Sequence, residues 1–158
     1  MTVPTPQEID AAVRLAIQEE FLLGRRPSVA SVASTLGRDA SDVDAAFDRL
    51  AAGRAVVLVQ GTRDILMAAP FAGVQTDFRV RCGERSYYAN CIWDAVGIPA
   101  MLAAAGRPSN ASVETRCADC AAPLRLEVAD GSLRAEPPDV VAHFAVPAAQ
   151  WWADIVFT

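Results

Sequence analysis

The sequence predicts an α+β protein, and three observations carry that expectation. The first 70 residues hold three amphipathic helical patterns and then two short apolar runs; the remainder is mostly short alternating segments broken by Gly and Pro; and one stretch, YYANCIWDAVG (87–97), opens a further helix. The expected architecture is a three-helix, winged-helix-like amino-terminal module (1–70) followed by an antiparallel or mixed sheet core with short helices (71–158).

The elements follow in order. From Gln7 to Leu23, Ile9, Val13, Ile17 and Phe21 recur every four residues with Ala12 and Ala16 between them, a helical stripe that Gly24 closes. Ser28 caps a shorter helix whose Val29, Val32, Ala33 and Leu36 share a face, ended by Gly37. Ser41 and Asp44 read as a capping box opening a third helix, with Val43, Ala46, Phe47 and Leu50 inward and Gly53 at its end. AVVLV (55–59) and DILMA (64–68) flank QGTR as a hairpin. DFRVRC (77–82) and RSYYA (85–89) read as strands joined through Gly83 and Glu84. Asn90 then reads as the N-cap of a helix that Gly97 and Pro99 interrupt and Gly106-Arg107-Pro108 ends. ASVETRC, LRLEVAD, SLRAEP and VVAHFAV alternate as strands, and AAQWWADIVF after Pro147 reads as a last helix or turn.

Three helices and a hairpin are also the plan of a winged-helix DNA reader, but charge argues against that use. The chain has a net charge of -5 and a pI near 4.8, whereas nucleic-acid binders gain affinity by neutralising phosphates. Up to Pro70 there are seven arginines against nine acids, and Asp42, Asp44 and Asp48 sit on the would-be recognition helix, where they would repel phosphate. The start MTVPTPQEID lacks the basic and apolar regions of a signal peptide, and no apolar run approaches the roughly 20 residues that span a bilayer. The expectation is a cytoplasmic protein with no membrane partner.

In a reducing compartment Cys82, Cys91, Cys117 and Cys120 are expected as thiols or metal ligands. With Asn90 as N-cap, Cys91 begins its helix and Asp94 lies one turn on, so both side chains face one space. A helix amino terminus favours a thiolate, and a carboxyl close to a thiolate tends to keep its proton. The pair therefore has two readings: a nucleophile beside a proton donor, or a buried small residue beside a carboxylate satisfied within the fold. Cys117 and Cys120 form a C-x-x-C, half of a structural zinc site; the other reading is a hairpin turn with two free thiols. His143, the sole histidine, lies in an apolar segment and reads as a core or edge residue. No phosphate loop, dinucleotide fingerprint or G-x-S-x-G is present.

Taken together, the helical start, ILMAAPFAGVQTDFRV and above all YYANCIWDAVGIPAML resemble the organomercurial (alkylmercury) lyase family, with a likeness that runs from residue 7 to 158. The resemblance implies protonolysis of a carbon–mercury bond, giving a hydrocarbon and mercuric ion. It implies Cys91 as the thiolate that attacks and then holds mercury, Asp94 as proton donor, and an apolar pocket for the organic group lined by residues such as Trp93. It also implies an organomercurial small molecule as substrate, cellular thiols that remove the product, and no separate cofactor. Thiolates suit mercury because soft cations prefer sulfur. The family's second catalytic cysteine follows a segment like HFAVPAAQWWADIVFT, and here no cysteine follows Cys120. That implies a chain cut short of the second thiol, or a relative that lacks it or substitutes Cys117, Cys120 or Cys82. Two further readings stay open: a mercury- or soft-metal-binding relative without lyase chemistry, and a winged-helix transcriptional regulator.

Overall fold

A computed structural model describes residues 4–155. The protein is α+β, as expected: α1 (Pro6–Leu22), α2 (Val29–Leu36) and α3 (Ala40–Ala52) precede an eight-stranded antiparallel sheet on which α4 (Ile92–Ala104) packs. Among the described residues no helix is long and apolar enough to cross a membrane.

The amino-terminal helices form where their caps and stripes dictate. Thr5 and Glu8 make a reciprocal capping box at the head of α1, and Pro6 supplies a pre-set φ at its first position. Val13, Ile17 and Phe21 then face inward, each burial stabilising by about 1.5–3 kcal/mol. Ser28 and Ser31 cap α2 in the same reciprocal way, and Gly37 ends it in the left-handed region at φ 60°. The capping box expected at Ser41 and Asp44 does not form. The carbonyl of Asp39 accepts the first helical bonds instead, so α3 starts at Ala40, and Asp44 is taken by Arg63 at 2.6 Å.

The sheet order is β1-β2-β3-β5-β4-β6-β7-β8, in which the strands are Val57–Leu58, Ile65–Ala68, Phe71–Ala72, Phe78–Cys82, Arg85–Ala89, Ala111–Arg116, Pro123–Ala129 and Ser132–Glu136. The hairpin β1–β2 is thus continuous with the large sheet across residue 70. Side chains alternate as a pleat requires. Val80, Tyr87, Val113 and Leu126 share the face under α4, whereas Arg79, Arg81, Glu114 and Arg125 share the other. Phe21 stacks on Phe71 with 5.2 Å between centroids, Tyr87 leans on Phe71, and the Tyr87 hydroxyl donates to the Leu22 carbonyl at 3.2 Å. This aromatic group ties α1 to the centre of the sheet.

Two expectations are corrected. Helix α4 runs unbroken through Gly97 and Pro99, because Ala95, Ile98, Pro99 and Leu102 all bury against the sheet, and packing outweighs one lost helical hydrogen bond. VVAHFAV is not a strand. It follows a cis Glu136–Pro137 bond and Pro138, Val141 is 87% exposed, and His143 lies on the surface rather than in the core or a ladder. The last helix or turn expected after Pro147 forms as a short 3₁₀ segment, Ala148–Ala153, whose Trp151 ring lies 5.7 Å from that of Phe144; the end of the expected element, 156–157, lies outside the described residues.

Candidate active site

The site is built where β5 ends and α4 begins. Strand β5 is held between β3 and β4, and Thr76 fixes its end by donating from Oγ1 to the Ala89 carbonyl at 2.6 Å. The next two residues leave the sheet. Cys91, not Asn90, is the N-cap: its backbone is extended, and its Sγ accepts the N–H of Asp94 at 3.5 Å. Cys91 and Asp94 therefore meet at the head of α4 through the Asp94 backbone N–H, one residue out of the expected phase.

That shift frees Asn90 for a role the sequence reading missed. Its Nδ2 donates to Asp94 Oδ2 at 2.8 Å and reaches the Phe71 carbonyl at 3.4 Å. The i, i+4 spacing of Asn90 and Asp94 is a signal for such a bond.

Both reactive groups are half-buried, and burial sets their protonation. Desolvation pushes the Asp94 carboxyl above the usual aspartate range, opposed by the Asn90 amide. Desolvation likewise pushes the Cys91 thiol up; the N–H groups of Asp94 and Trp93 pull the other way, and the Asp94 charge adds to the rise. The helix amino terminus thus favours the thiolate as expected, but burial outweighs it, and the resting sulfur is a thiol. Asp94 keeps its proton more firmly for the reason of burial rather than of a neighbouring thiolate.

Trp93 lies on the first turn of α4 with its side chain 65% exposed, so it is not a core tryptophan. Cavities of about 280 and 210 Å³ lie elsewhere: the first is lined by Phe21, Arg26, Ile65 and Val74, the second by Thr76, Arg79, Tyr88 and Arg116.

Register separates the other cysteines. Cys82 is at the far end of β4, four residues from Phe78, which pairs with Ala89; this is about 13 Å along the strand and on the side away from Cys91. Its thiol is buried and donates to the Pro108 carbonyl at 2.9 Å, so Cys82 is no substitute partner. Cys117 and Cys120 lie in the turn after β6, a hairpin turn with free thiols. Among the described residues no three His, Cys, Asp or Glu side chains are grouped to hold a metal.

The basic groups on and around α3 are engaged internally. Arg63 grips Asp44 at 2.6 Å and Asp48 at 3.0 Å, Arg49 grips Asp10 at 2.7 Å, and Arg54 lies 5.6 Å over the Trp152 ring. Little uncompensated positive charge is left on α3 for phosphate.

A thiol and a carboxylic acid at the head of a helix docked on an antiparallel sheet define a thiol–acid site on an α+β fold. A family model described as MerB, alkylmercury lyase, matches residues 71–158, more than half of the chain, and the chain belongs to that family. In fold it is similar to a crystal structure described as the mercury-bound form of MerB2, with a TM-score of 0.55 and 18% identity over 83% of this chain and 68% of that one. A comparison with curated proteins finds no match.

Proposed function

We propose that this chain cleaves organomercurials by protonolysis, with Cys91 as the mercury-binding nucleophile and Asp94 as the proton donor. The observation that carries the reading is the half-buried Cys91 sulfur accepting the backbone N–H of Asp94 at the head of α4, together with the burial that raises the pKa of the Asp94 carboxyl.

An alkyl- or arylmercury cation bonds the Cys91 sulfur, and the thiol proton leaves to solvent or to the departing thiol carrier. A small cellular thiol, its proton lost to solvent, adds to mercury as a second thiolate and pushes electron density towards the carbon–mercury bond. The Asp94 carboxylic acid gives its proton to carbon; the electron pair of the carbon–mercury bond becomes the new carbon–hydrogen bond. Mercuric ion remains on the two sulfurs, and solvent reprotonates Asp94. Trp93 offers an apolar wall beside Cys91 for the organic group. General-acid assistance of this kind contributes about 10²- to 10⁴-fold to a rate.

The test is benzene release from phenylmercury in excess free thiol. Cys91→Ser should abolish release, and Asp94→Asn should slow it by about 10²-fold or more. Equal benzene from wild type and Cys91→Ser overturns the reading. Tight mercury retention without any benzene would mark a soft-metal-binding relative instead.

A further inference from the structure

The C-x-x-C of the β6–β7 turn has no part in the chemistry above, yet its geometry is that of a built ligand. Cys117 N–H donates to the Ala122 carbonyl at 2.8 Å, and Ala121 N–H returns to the Cys117 carbonyl at 2.9 Å, closing the turn. Ala121 holds φ at 58°, a left-handed conformation costing a non-glycine residue about 1 kcal/mol or more. The closed turn keeps Cys120, three residues on, within the same tight loop as Cys117. Two free thiols thus share one closed turn, Cys120 exposed and Cys117 half-buried.

The number of ligands selects the ion. Zinc takes four, and here two sulfurs stand without a third His, Cys, Asp or Glu among the described residues. A soft cation that is satisfied by two opposed thiolates needs no more, and mercuric ion is such a cation.

The position of the turn selects its source. Phe78 of β4 pairs with Ala89 of β5, and Arg79 pairs with Glu114 of β6, while Arg116 reaches Asp77 at 3.7 Å. Strands β5 and β6 therefore both end beside the start of β4, delivering Cys91 and Cys117 to the same end of the sheet. Their strands are separated by β4 alone, two spacings of about 4.8 Å.

We propose that Cys117 and Cys120 form a two-thiolate acceptor site that takes mercuric ion from Cys91. The ion's origin rests on the lyase reading; the site itself does not. Each transfer is a thiol exchange: a Cys117 or Cys120 sulfur forms a bond to mercury as a bond from mercury to its previous sulfur breaks. The released sulfur takes the proton that the incoming thiol gives up. After two exchanges mercury is held by both turn sulfurs, Cys91 is a thiol again, and no electron has changed hands.

The experiment loads the full chain with one equivalent of mercuric chloride and strips it with increasing 2-mercaptoethanol, following retained mercury by native mass spectrometry. Wild type and Cys91→Ser should hold one ion. Cys120→Ser and the Cys117→Ser/Cys120→Ser variant should lose it at about a hundredfold less competitor, as expected when two linked ligands become one. Cys120 is exposed, so its single variant tests the site without disturbing the core. Unchanged retention in both turn variants, or loss in Cys91→Ser equal to theirs, overturns the proposal. Benzene release separates the two readings: mercury retained on the turn without benzene removes the lyase and keeps the site. Benzene released with mercury left on Cys91 does the reverse.

Discussion

Asn90 holds Asp94 through a 2.8 Å bond from amide to carboxyl, and the same amide nitrogen reaches the Phe71 carbonyl in the middle of the sheet. The proton donor is thereby oriented by the strand that precedes its helix. Because this bond stabilises the charged carboxylate, it opposes the rise caused by burial. Asn90→Ala should therefore move Asp94 to a still higher pKa. If protonated Asp94 is the acid, the alkaline fall of benzene release shifts to higher pH in the variant, while the plateau rate drops because the carboxyl is less well placed. A pH–rate profile reads both effects; a fall in rate with the alkaline limb unmoved would assign Asn90 to structure alone.

Burial of Asp94 also has a consequence for stability. A carboxyl with a raised folded pKa contributes stability that is fully present below the unfolded aspartate value, about 4, and is lost as pH rises through the folded value. Above its folded pKa the ionised, half-buried carboxylate weakens the fold. Asp94→Asn keeps an oxygen for the Asn90 amide and does not titrate. Its Tm should exceed that of the wild type at pH 7.5, with the difference shrinking towards pH 4. An unchanged difference across that range would show that Asp94 titrates as it does in the unfolded chain.

Much of this arrangement was legible in the residues, and the failures have physical causes. The stripe Val13, Ile17, Phe21 and the serine and glycine ends of α2 are local signals, and they form as the spacing predicts. Cys91 and Asp94 were legible as a pair because one helical turn separates them. Their phase was not, since Asn90 and Cys91 can each cap and only the bond from Asn90 to Asp94 decides between them. VVAHFAV misled because an apolar run is the signal of a buried strand, whereas this segment lies on the surface with Val141 87% exposed. The shared sheet end of Cys91 and Cys117 depends on the crossed order β5-β4-β6, a long-range register that no local pattern encodes.

The four thiols should separate by reactivity. The N–H groups around Cys117 hold its pKa below the usual thiol value, whereas burial raises those of Cys91 and Cys82. Only the thiolate reacts with iodoacetamide. Limited labelling at pH 7 followed by peptide mass mapping should find the Cys117–Cys120 turn modified first, Cys91 more slowly with a rate that climbs beyond pH 8, and Cys82 last. Cys91 labelled first at pH 7 would contradict the balance of burial over helix-terminus stabilisation.

Gly73 is the described glycine with the least room for a side chain. Its N–H donates to the Leu66 carbonyl at 2.9 Å, and a Cβ there would lie 1.8 Å from the Ile65 carbonyl oxygen and 2.9 Å from its carbon. Both atoms are backbone of β2, so no side chain can swing aside. Gly73→Ala must push β3 off β2, costing about 3 kcal/mol and lowering Tm by about 10 °C. Gly97→Ala is the matched control: its Cβ would meet Pro70 at 3.8 Å, an ordinary contact, and alanine favours the helix by about 0.5–1 kcal/mol. Thermal unfolding of the two variants should move in opposite directions, and a Gly73→Ala protein as stable as wild type would mean that β2 and β3 separate freely at this point.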